Sequence, residues 1–393
     1  MESLSIVNVI IVLTIFFVSL GIAAYETYLE RVVAAFIQDR VGPHYAGPLG
    51  LLQPIADAFK MFFKEDFMPA KADKLLFVMG PGLALFTALL TSAVIPFGDS
   101  LIIGGEEFLL QGIEVNIGIL WIFGIVALGV YGILIGGWAS NNKYSLYGAI
   151  RAASSNISYE LAMGMAIIAI IMTSESLSVR AIVEQQHGIN WNIFYQPMGF
   201  LIFLTCAFAE CNRTPFDLPE SENELVAGYH TEYSSMKLGS YLFAEYLNMF
   251  VTSALISCLY FGGFNYPGMD WVHSALVGVA GEAAGHNIAT FVGLGAFFTK
   301  IFFFIFLFMW VRWTVPRFRY DQLMNLGWKG LIPLAVVNMV ITAAAQLSGS
   351  PLIGSYIGLA IFLIVFVLIW PLVKPKSRMI VKGTTVTQTT VTQ

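Results

Sequence analysis

Charged side chains are scarce in this sequence of 393 residues. Asp, Glu, Lys and Arg together make up 11% of the chain, whereas hydrophobic residues make up 57%. A soluble globular protein carries about 25% charged residues, so this chain has too few charges to cover its surface with polar groups. This composition excludes a soluble enzyme, a nucleic-acid-binding protein and a disordered protein, and it indicates a polytopic membrane protein.

Cysteine and cofactor-binding patterns are also sparse. Cys206, Cys211 and Cys258 lie in apolar surroundings and are too few for a disulfide framework or an iron–sulfur site. The sequence has no G-x-x-x-x-G-K-[ST], G-x-G-x-x-G, C-x-x-C or H-E-x-x-H motif, and its five histidines show no spacing typical of haem or zinc ligands. We therefore expect no catalytic residue, metal site, nucleotide site or redox centre in this chain.

Long hydrophobic runs are what the sequence has in abundance. A helix needs about 20 apolar residues to cross a bilayer, and nine segments meet this need. We predict an all-α membrane protein, with one transmembrane domain over residues 1–373 and a basic, then Thr-rich tail over 374–393 that we expect to be disordered. The nine predicted spans are 4–28, 75–96, 117–138, 156–173, 193–210, 238–262, 288–311, 331–347 and 352–372.

The Lys and Arg residues predict the orientation of these spans. With the N-terminus outside and the C-terminus inside, all of the 20 Lys and Arg except Arg180 and Lys300 fall in inner-side segments. Inner loops of membrane proteins carry an excess of positive charge, and a wrong number of spans would destroy this alternation. The orientation therefore supports the predicted number of helices.

An inner-side segment over 51–64 predicts a helix that lies flat on the membrane. Its leucines, isoleucine and phenylalanines fall on one helical face, and Gln53, Asp57, Lys60 and Lys64 fall on the other. This is the pattern of an interfacial amphipathic helix, too short to span. Two interpretations stay open: a simple membrane-surface anchor, or the floor of an entrance for a lipid-soluble ligand.

Three ionisable residues lie deep within predicted spans. Counted from the nearest inner-side Lys or Arg at the helical rise of about 1.5 Å per residue, Glu160, Glu245 and Lys300 lie about 14, 12 and 18 Å into the membrane. Charges at such depth are costly and mark functional sites. Lys300 has two interpretations: a structural ion pair with one Glu, or a proton carrier whose charged form is disfavoured by burial.

The segment 210–245 concentrates acidic residues. It holds seven of the 25 acids of the chain, with only Arg213 and Lys237 against them. One interpretation is a solvated loop. The other is a carboxylate cluster that titrates as a coupled set and passes protons through small changes in local charge. The seven acids are Glu210, Asp217, Glu220, Glu222, Glu224, Glu232 and Glu245.

Six segments carry a specific family resemblance. They are 30–43 (ERVVAAFIQDRVGP), 47–60 (GPLGLLQPIADAFK), 157–161 (ISYEL), 209–228 (AECNRTPFDLPESENELVAG), 230–234 (HTEYS) and 310–324 (WVRWTVPRFRYDQLM). In residue identity, order and spacing, these segments resemble the H-subunit family of bacterial NADH:quinone oxidoreductase, the respiratory complex I. Cys211 stands where Thr is common in that family, a small buried exchange that we expect to be tolerated.

The resemblance implies roles for the charged residues. The acids that match the family's coupling path are Glu160 and the seven acids of 210–245, and we add Lys300 to this path. Glu30 closes the inner end of the first span. A second set of charged residues matches family positions at the quinone chamber or at partner contacts: Glu30, Arg31, Arg40, Asp57, Arg213, Arg312, Arg317 and Arg319. For Arg213 and for the three arginines of 310–324, a plain anchor or partner contact is the simpler interpretation.

The resemblance also implies a setting in a larger complex. It implies a multi-pass protein of the bacterial cytoplasmic membrane that binds quinone as a substrate and binds no cofactor itself. Iron–sulfur clusters and FMN belong to partner subunits, and further partners are small membrane subunits and lipids, with no nucleic acid. Two alternatives remain: the equivalent component of a related energy-converting complex, such as a hydrogenase, and a free-standing ion transporter. The odd number of spans and the absence of an inverted repeat weaken the transporter interpretation.

Overall fold

The computed structural model of the chain consists of packed helices and one small β-hairpin. It describes residues 6–217 and 226–349 and, beyond these, residues 352, 354, 356–360, 363 and 364. Its helices are α1 (Ile6–Ile37), α2 (Gln53–Phe63), α3 (Lys74–Ser92), α4 (Gly118–Ala139), α5 (Lys143–Ser174), α6 (Val179–Gln185), α7 (Asn192–Tyr195), α8 (Pro197–Glu210), α9 (Ser235–Tyr260), α10 (Met269–Ala280), α11 (Glu282–Thr314), α12 (Tyr320–Asn325) and α13 (Ile332–Leu347). A π-helical segment, Leu326–Leu331, joins α12 to α13, and strands β1 (Ser100–Ile103) and β2 (Glu106–Leu109) pair antiparallel.

The prediction of a polytopic all-α membrane protein is confirmed. Seven of the helical stretches are long and apolar enough to cross a membrane: α1, α3, α4, α5, α9, α11 and the continuous stretch Tyr320–Leu347. They coincide with predicted spans one to four and six to eight. The fifth predicted span is the shorter apolar helix α8, and the ninth, 352–372, lies mostly outside the described residues.

Helix α5 begins well before the predicted span of 156–173. Asn142 caps its N-terminus, since the Asn142 side chain accepts a hydrogen bond from the Tyr144 N–H at 2.9 Å. This cap satisfies one of the backbone donors that a helix leaves free at its start. The first turns of α5 are therefore helical although they are polar, and they extend the helix beyond the apolar run.

The predicted amphipathic helix is confirmed as α2, within slightly narrower bounds. Its Phe59, Phe62 and Phe63 are exposed by 59%, 66% and 85%. The opposite face packs on α9, where the Ser235 hydroxyl donates to the Met61 carbonyl at 2.9 Å. Since aromatic side chains avoid water, this unburied face suits the membrane interface rather than solvent.

Helix α9 lies at the centre of the bundle. Of its most apolar 18-residue stretch, 78% is buried inside the chain, against 17% for α1. Tyr241 of α9 reaches the contact between α3 and α4, where its hydroxyl donates to the Gly132 carbonyl at 3.1 Å. A Cβ at Gly80 of α3 would lie 2.9 Å from the Cα of Gly136 in α4. Glycine at these positions lets the two helices approach closely, and α9 packs against the pair.

The β-hairpin, which the sequence patterns did not indicate, packs on the first turns of α11. The Asn287 side chain bonds both the N–H and the carbonyl of Ile102, at 2.8 and 2.9 Å. The Thr290 hydroxyl donates to the Ser100 carbonyl at 2.9 Å. These side chains satisfy backbone groups at the strand edge, so the hairpin is held to α11 by polar contacts.

Candidate functional site

A buried ion-pair network joins α1, the chain after α8 and α11 beside the middle of α9. Glu30, near the C-terminal end of α1, accepts a hydrogen bond from Arg213 at 3.1 Å and forms an ion pair with Arg312 at 2.7 Å. Arg213 follows α8, and its guanidinium lies 4.3 Å from the centre of the Tyr246 ring of α9. Buried charges are stable only when they are paired, so this network ties α1, α8, α9 and α11 together.

Glu26 lies one helical turn before Glu30 and was not among the residues selected from the sequence. Its side chain is fully buried, and neither carboxyl oxygen has a hydrogen-bond partner among the described residues. It lies within electrostatic range of Glu30 and Arg213. A buried carboxylate without partners is costly unless it carries a proton or meets water. The spacing of four residues from Glu30 was the available signal, because it places both on one helical face.

A small polar cavity brings together two of the predicted acids. Glu210 at the end of α8 and Glu245 of α9 both line a cavity of about 40 Å³. Asn156 of α5 and Asn212 also line it, as does Tyr229, whose hydroxyl donates to Glu245 at 3.2 Å. A polar cavity of this size has room for water. Since α5, α8 and α9 each contribute polar groups, water here would contact carboxyl groups from two separate helices.

Glu160 and Cys211 extend the acidic path on both sides of the cavity. Glu160, half-buried one turn beyond Asn156 on α5, acts electrostatically on Glu210. The Cys211 side chain lies within electrostatic range of both Glu210 and Glu26 and contacts Thr252 through a hydrogen bond of 3.5 Å. Electrostatic interactions therefore link Glu26 to Glu210 through Cys211, and Glu210 to Glu160.

Aromatic residues pack beside this cavity, and Tyr229 and Tyr241 line it. The rings of Tyr229 and Tyr233 each contact Tyr241 edge-on at 5.1 Å between centroids, and Phe77 stacks on Tyr233 at 4.1 Å. Burial raises the pKa of Tyr233 to about 12, so its hydroxyl remains protonated at neutral pH and donates to the Phe77 and Gly136 carbonyls. This aromatic group was not predicted, because no pattern in the sequence links residues 229–233 to α3 and α4.

Two predicted acids of the segment lie away from the cavity. Asp217 is buried and pairs with Arg317 at 2.7 Å, which holds the chain after α8 to the chain after α11. Glu232 accepts from the Asn142 side chain at 2.5 Å, at the start of α5. Neither lines the cavity. The predicted residues Glu220, Glu222 and Glu224 lie outside the described residues.

Among the described residues Lys300 pairs with no Glu, and its contacts argue against the interpretation as a structural ion pair. Its ammonium donates to the carbonyls of Phe261, Gly263 and Asn265 at 2.7, 2.7 and 2.6 Å. It also lies 4.9 Å from the centre of the Trp191 ring. A lysine ammonium has three N–H donors, and these three carbonyls use them all. Lys300 therefore binds the loop that follows α9, at the end far from Glu245.

The remaining predicted residues are partly or fully exposed, and they are Arg31, Arg40, Asp57 and Arg319. Arg31 of α1 pairs with Asp57 of α2 at 2.7 Å, with side chains 46% and 22% exposed. Arg40 is exposed, and its Nε donates to the Gln38 side chain at 2.7 Å. Arg319 is also exposed and precedes α12. The structure brings Arg31 and Asp57 together, whereas Arg40 and Arg319 point to the surroundings of the chain.

Known proteins resemble this chain over most of its length. A model of the NADH dehydrogenase family matches residues 9–343. The H subunit of the NADH-quinone oxidoreductase of Flavobacterium johnsoniae is 58% identical over 348 residues, which are 88% of this chain and 97% of that protein. An H subunit of the same enzyme from Cytophaga hutchinsonii is 59% identical over 338 residues, 86% of this chain and 96% of that protein. One from Geobacter metallireducens is 48% identical over 328 residues, 84% of this chain and 93% of that protein.

Proposed function

The chain belongs to the NADH dehydrogenase family, and from this premise we propose that it is the membrane-embedded H subunit of a proton-translocating NADH:quinone oxidoreductase. The observation that carries the proposal is the identity of 58% over 348 residues with a protein of that name. The chain is a multi-pass membrane protein. We assign it to the bacterial cytoplasmic membrane with its N-terminus outside, because the Lys and Arg residues favour that orientation.

In the proposed enzyme, this chain helps to bind the quinone, and other subunits deliver the electrons. Reduction of a quinone to a quinol takes two electrons and two protons. The sequence has no motif for a nucleotide or a redox group, so we place FMN and the iron–sulfur clusters in partner subunits. Hydrophilic partners would complete the quinone site on the inner surface, and small membrane subunits would adjoin the bundle.

The region around α2 is the proposed entrance for the quinone. Phe59, Phe62 and Phe63 form an unburied aromatic face that suits an isoprenoid tail. The ion pair between Arg31 and Asp57 fixes α2 to α1 beside this face. Arg40 and Arg319 are exposed and would bind hydrophilic partners. This arrangement supports an entrance rather than a simple anchor, since an anchor needs no charged link to α1.

The buried acids are the proposed coupling path. A quinone headgroup becomes more negative when electrons arrive and then draws protons, and this change in charge acts on nearby ionisable groups. Glu30 and Glu26 on α1 would respond first, and Glu210 and Glu245 at the cavity would respond next. Glu160 would pass the change on towards proton-pumping partners. We give Glu220, Glu222 and Glu224 the same role on the basis of the resemblance alone.

Exchange of Glu210 for Gln tests the coupling path. Glu210→Gln keeps the shape of the side chain and removes its ability to ionise, so we expect quinone-dependent NADH oxidation and proton translocation to fall together while the complex still assembles. Glu107→Gln, at an exposed position of the β-hairpin, is the matched control and should leave both unchanged. Full activity of the Glu210→Gln enzyme would refute the proposed path.

The assignment to this enzyme is tested separately. The chain would be tagged, extracted in mild detergent and separated on a native gel stained for NADH oxidation. We expect the tag in a large NADH-oxidising band that contains iron–sulfur subunits. A tag that migrates alone, or with hydrogenase-like partners, would refute the assignment and would leave the path of buried acids as a separate question.

A further inference from the structure

Two histidines face each other where α10 packs on α11. The Nε2 atom of His273 lies 3.1 Å from the Nδ1 atom of His286, and the two rings meet edge-on with centroids 5.4 Å apart. The helices are in close contact here, because a Cβ at Gly285 would lie 2.5 Å from the Cα of Val277. The position of both rings is therefore set by the packing of the two helices.

The β-hairpin contacts the other ring nitrogen of His286. The Nε2 atom of His286 lies 3.1 Å from both the carbonyl oxygen and the hydroxyl oxygen of Ser100. A carbonyl can only accept a hydrogen bond and a hydroxyl can also accept one, so both contacts suit a neutral ring that is protonated at Nε2 and keeps its lone pair on Nδ1. That lone pair is directed at Nε2 of His273. Such a short separation requires that the two nitrogens share either a proton or a metal ion.

We propose that His273 and His286 form a binding site for a divalent transition-metal ion, with Zn²⁺ as the representative ion. Metal–nitrogen bonds of about 2.0–2.1 Å place two adjacent imidazole nitrogens about 3 Å apart on one ion, which agrees with the observed 3.1 Å. A carbonyl that holds the second ring nitrogen, as the Ser100 carbonyl does, is the usual partner of a metal-binding histidine. Imidazole is also a preferred ligand of Zn²⁺ and Cu²⁺.

The rest of the coordination shell would be water. Among the described residues, no group of three or more His, Cys, Asp and Glu side chains is arranged to hold a metal ion. The site is therefore open, and the ion would exchange with the surroundings. Asp270 and Glu282 are exposed about one turn before the two histidines, and their charges favour a cation at long range. A bound ion would join α10 to α11.

Zinc binding to the intact enzyme complex tests this proposal. The complex would be stripped with a chelator and dialysed against Zn²⁺ at micromolar concentrations. We expect the wild-type complex to bind one Zn²⁺ more than the His286→Asn and His273→Asn complexes. Each exchange should weaken this binding by roughly tenfold or more, since even changes outside the ligand shell cost that much. Equal binding in all of them would overturn the proposal.

A control and a second measurement keep the result clear. His187 is an exposed histidine in the loop after α6, and His187→Asn should bind as much zinc as the wild type. Cu²⁺ added to the stripped wild-type complex should give an electron paramagnetic resonance spectrum with coupling to two imidazole nitrogens, and the His286→Asn complex should lose it. A wild-type complex that binds neither ion at this pair would show that the histidines share only a proton.

Discussion

The two ends of α9 differ in the groups that contact buried charged side chains. Near the Ser235 end, carboxyl groups meet arginines, a tyrosine and a polar cavity, and Glu30 is bound by Arg213 and Arg312. Beyond the Tyr260 end, the charge of Lys300 meets three backbone carbonyls. Among the described residues, the carboxyl groups of the first site contact other ionisable side chains, whereas the hydrogen bonds of the Lys300 ammonium go to backbone carbonyls.

This difference in partners distinguishes a site suited to proton coupling from a site suited to structural support. A carbonyl oxygen cannot take up or release a proton, so the contacts of Lys300 favour one charge state and one conformation. Carboxyl groups that surround a hydrated cavity can exchange protons and can change one another's charge. Chemical coupling is therefore expected at the Ser235 end and structural support at the Tyr260 end.

Loss of Arg213 should have the largest effect. Arg213→Met leaves Glu30 buried with one partner fewer, and the removal of one member of a buried ion pair costs about 3–5 kcal/mol. We expect little or no assembled complex, measured as the amount of NADH-oxidising band on a native gel. Arg213→Lys should restore part of it. Normal assembly of the Arg213→Met protein would show that the network does not hold these four elements together.

Loss of the Glu245 carboxyl group at the cavity should have the next largest effect. This effect should be on activity rather than on assembly. In Glu245→Gln we expect quinone-linked turnover to fall by about a hundredfold, the lower end of what a positioned proton-transfer group contributes. Tyr229→Phe removes the hydrogen bond to Glu245 and should lower turnover much less. The measurement is quinone-dependent NADH oxidation per assembled complex. Similar losses in both would assign the effect to the hydrogen bond rather than to the carboxyl.

Loss of Lys300 should lower stability and leave activity intact. Lys300→Met fills similar space but leaves three carbonyls without their donor, which should cost about 3 kcal/mol. The midpoint temperature for loss of the assembled complex should fall, while turnover of the remaining complex stays unchanged. If the Lys300→Met complex is stable but no longer translocates protons, Lys300 is a proton carrier. The two ends of α9 would then not differ in the way described.

Loss of the ion pair between Arg31 and Asp57 should have the smallest effect on stability. Arg31 is 46% exposed, and exposed ion pairs contribute about 0–1 kcal/mol. We expect Asp57→Asn to assemble normally and to show a higher KM for quinone with little change in kcat. An unchanged KM would argue against α2 as part of the entrance.

The sequence predicted the membrane-crossing helices because each one contains a long apolar run. Their ends were less predictable, since α1 continues to Ile37 and α5 begins at Lys143. At both places polar residues are helical because neighbouring elements and a cap satisfy them. The β-hairpin was missed because its strands have four residues each, and it is held by side chains of a distant helix rather than by a pattern of its own.

Most residues of the candidate site were predicted from the sequence, but the contacts between them were not. Glu210 was selected as a member of the acidic segment and Glu245 as an acid deep within a predicted span, and the structure places both at one cavity. Glu26 was missed as a member, and the partners of Lys300 were missed because backbone carbonyls have no signature in a sequence. Arg213 was expected at the surface, yet it is buried with Glu30, a residue far away in the chain.

Proton translocation in vesicles tests the central claim most directly. Complexes with Glu245→Gln and with Lys300→Met would be reconstituted at equal amounts, and proton movement during quinone-linked NADH oxidation would be recorded. The account predicts wild-type proton movement for the assembled Lys300→Met complex and a severe loss for Glu245→Gln. Full proton movement by the Glu245→Gln complex, together with a loss in Lys300→Met, would contradict it.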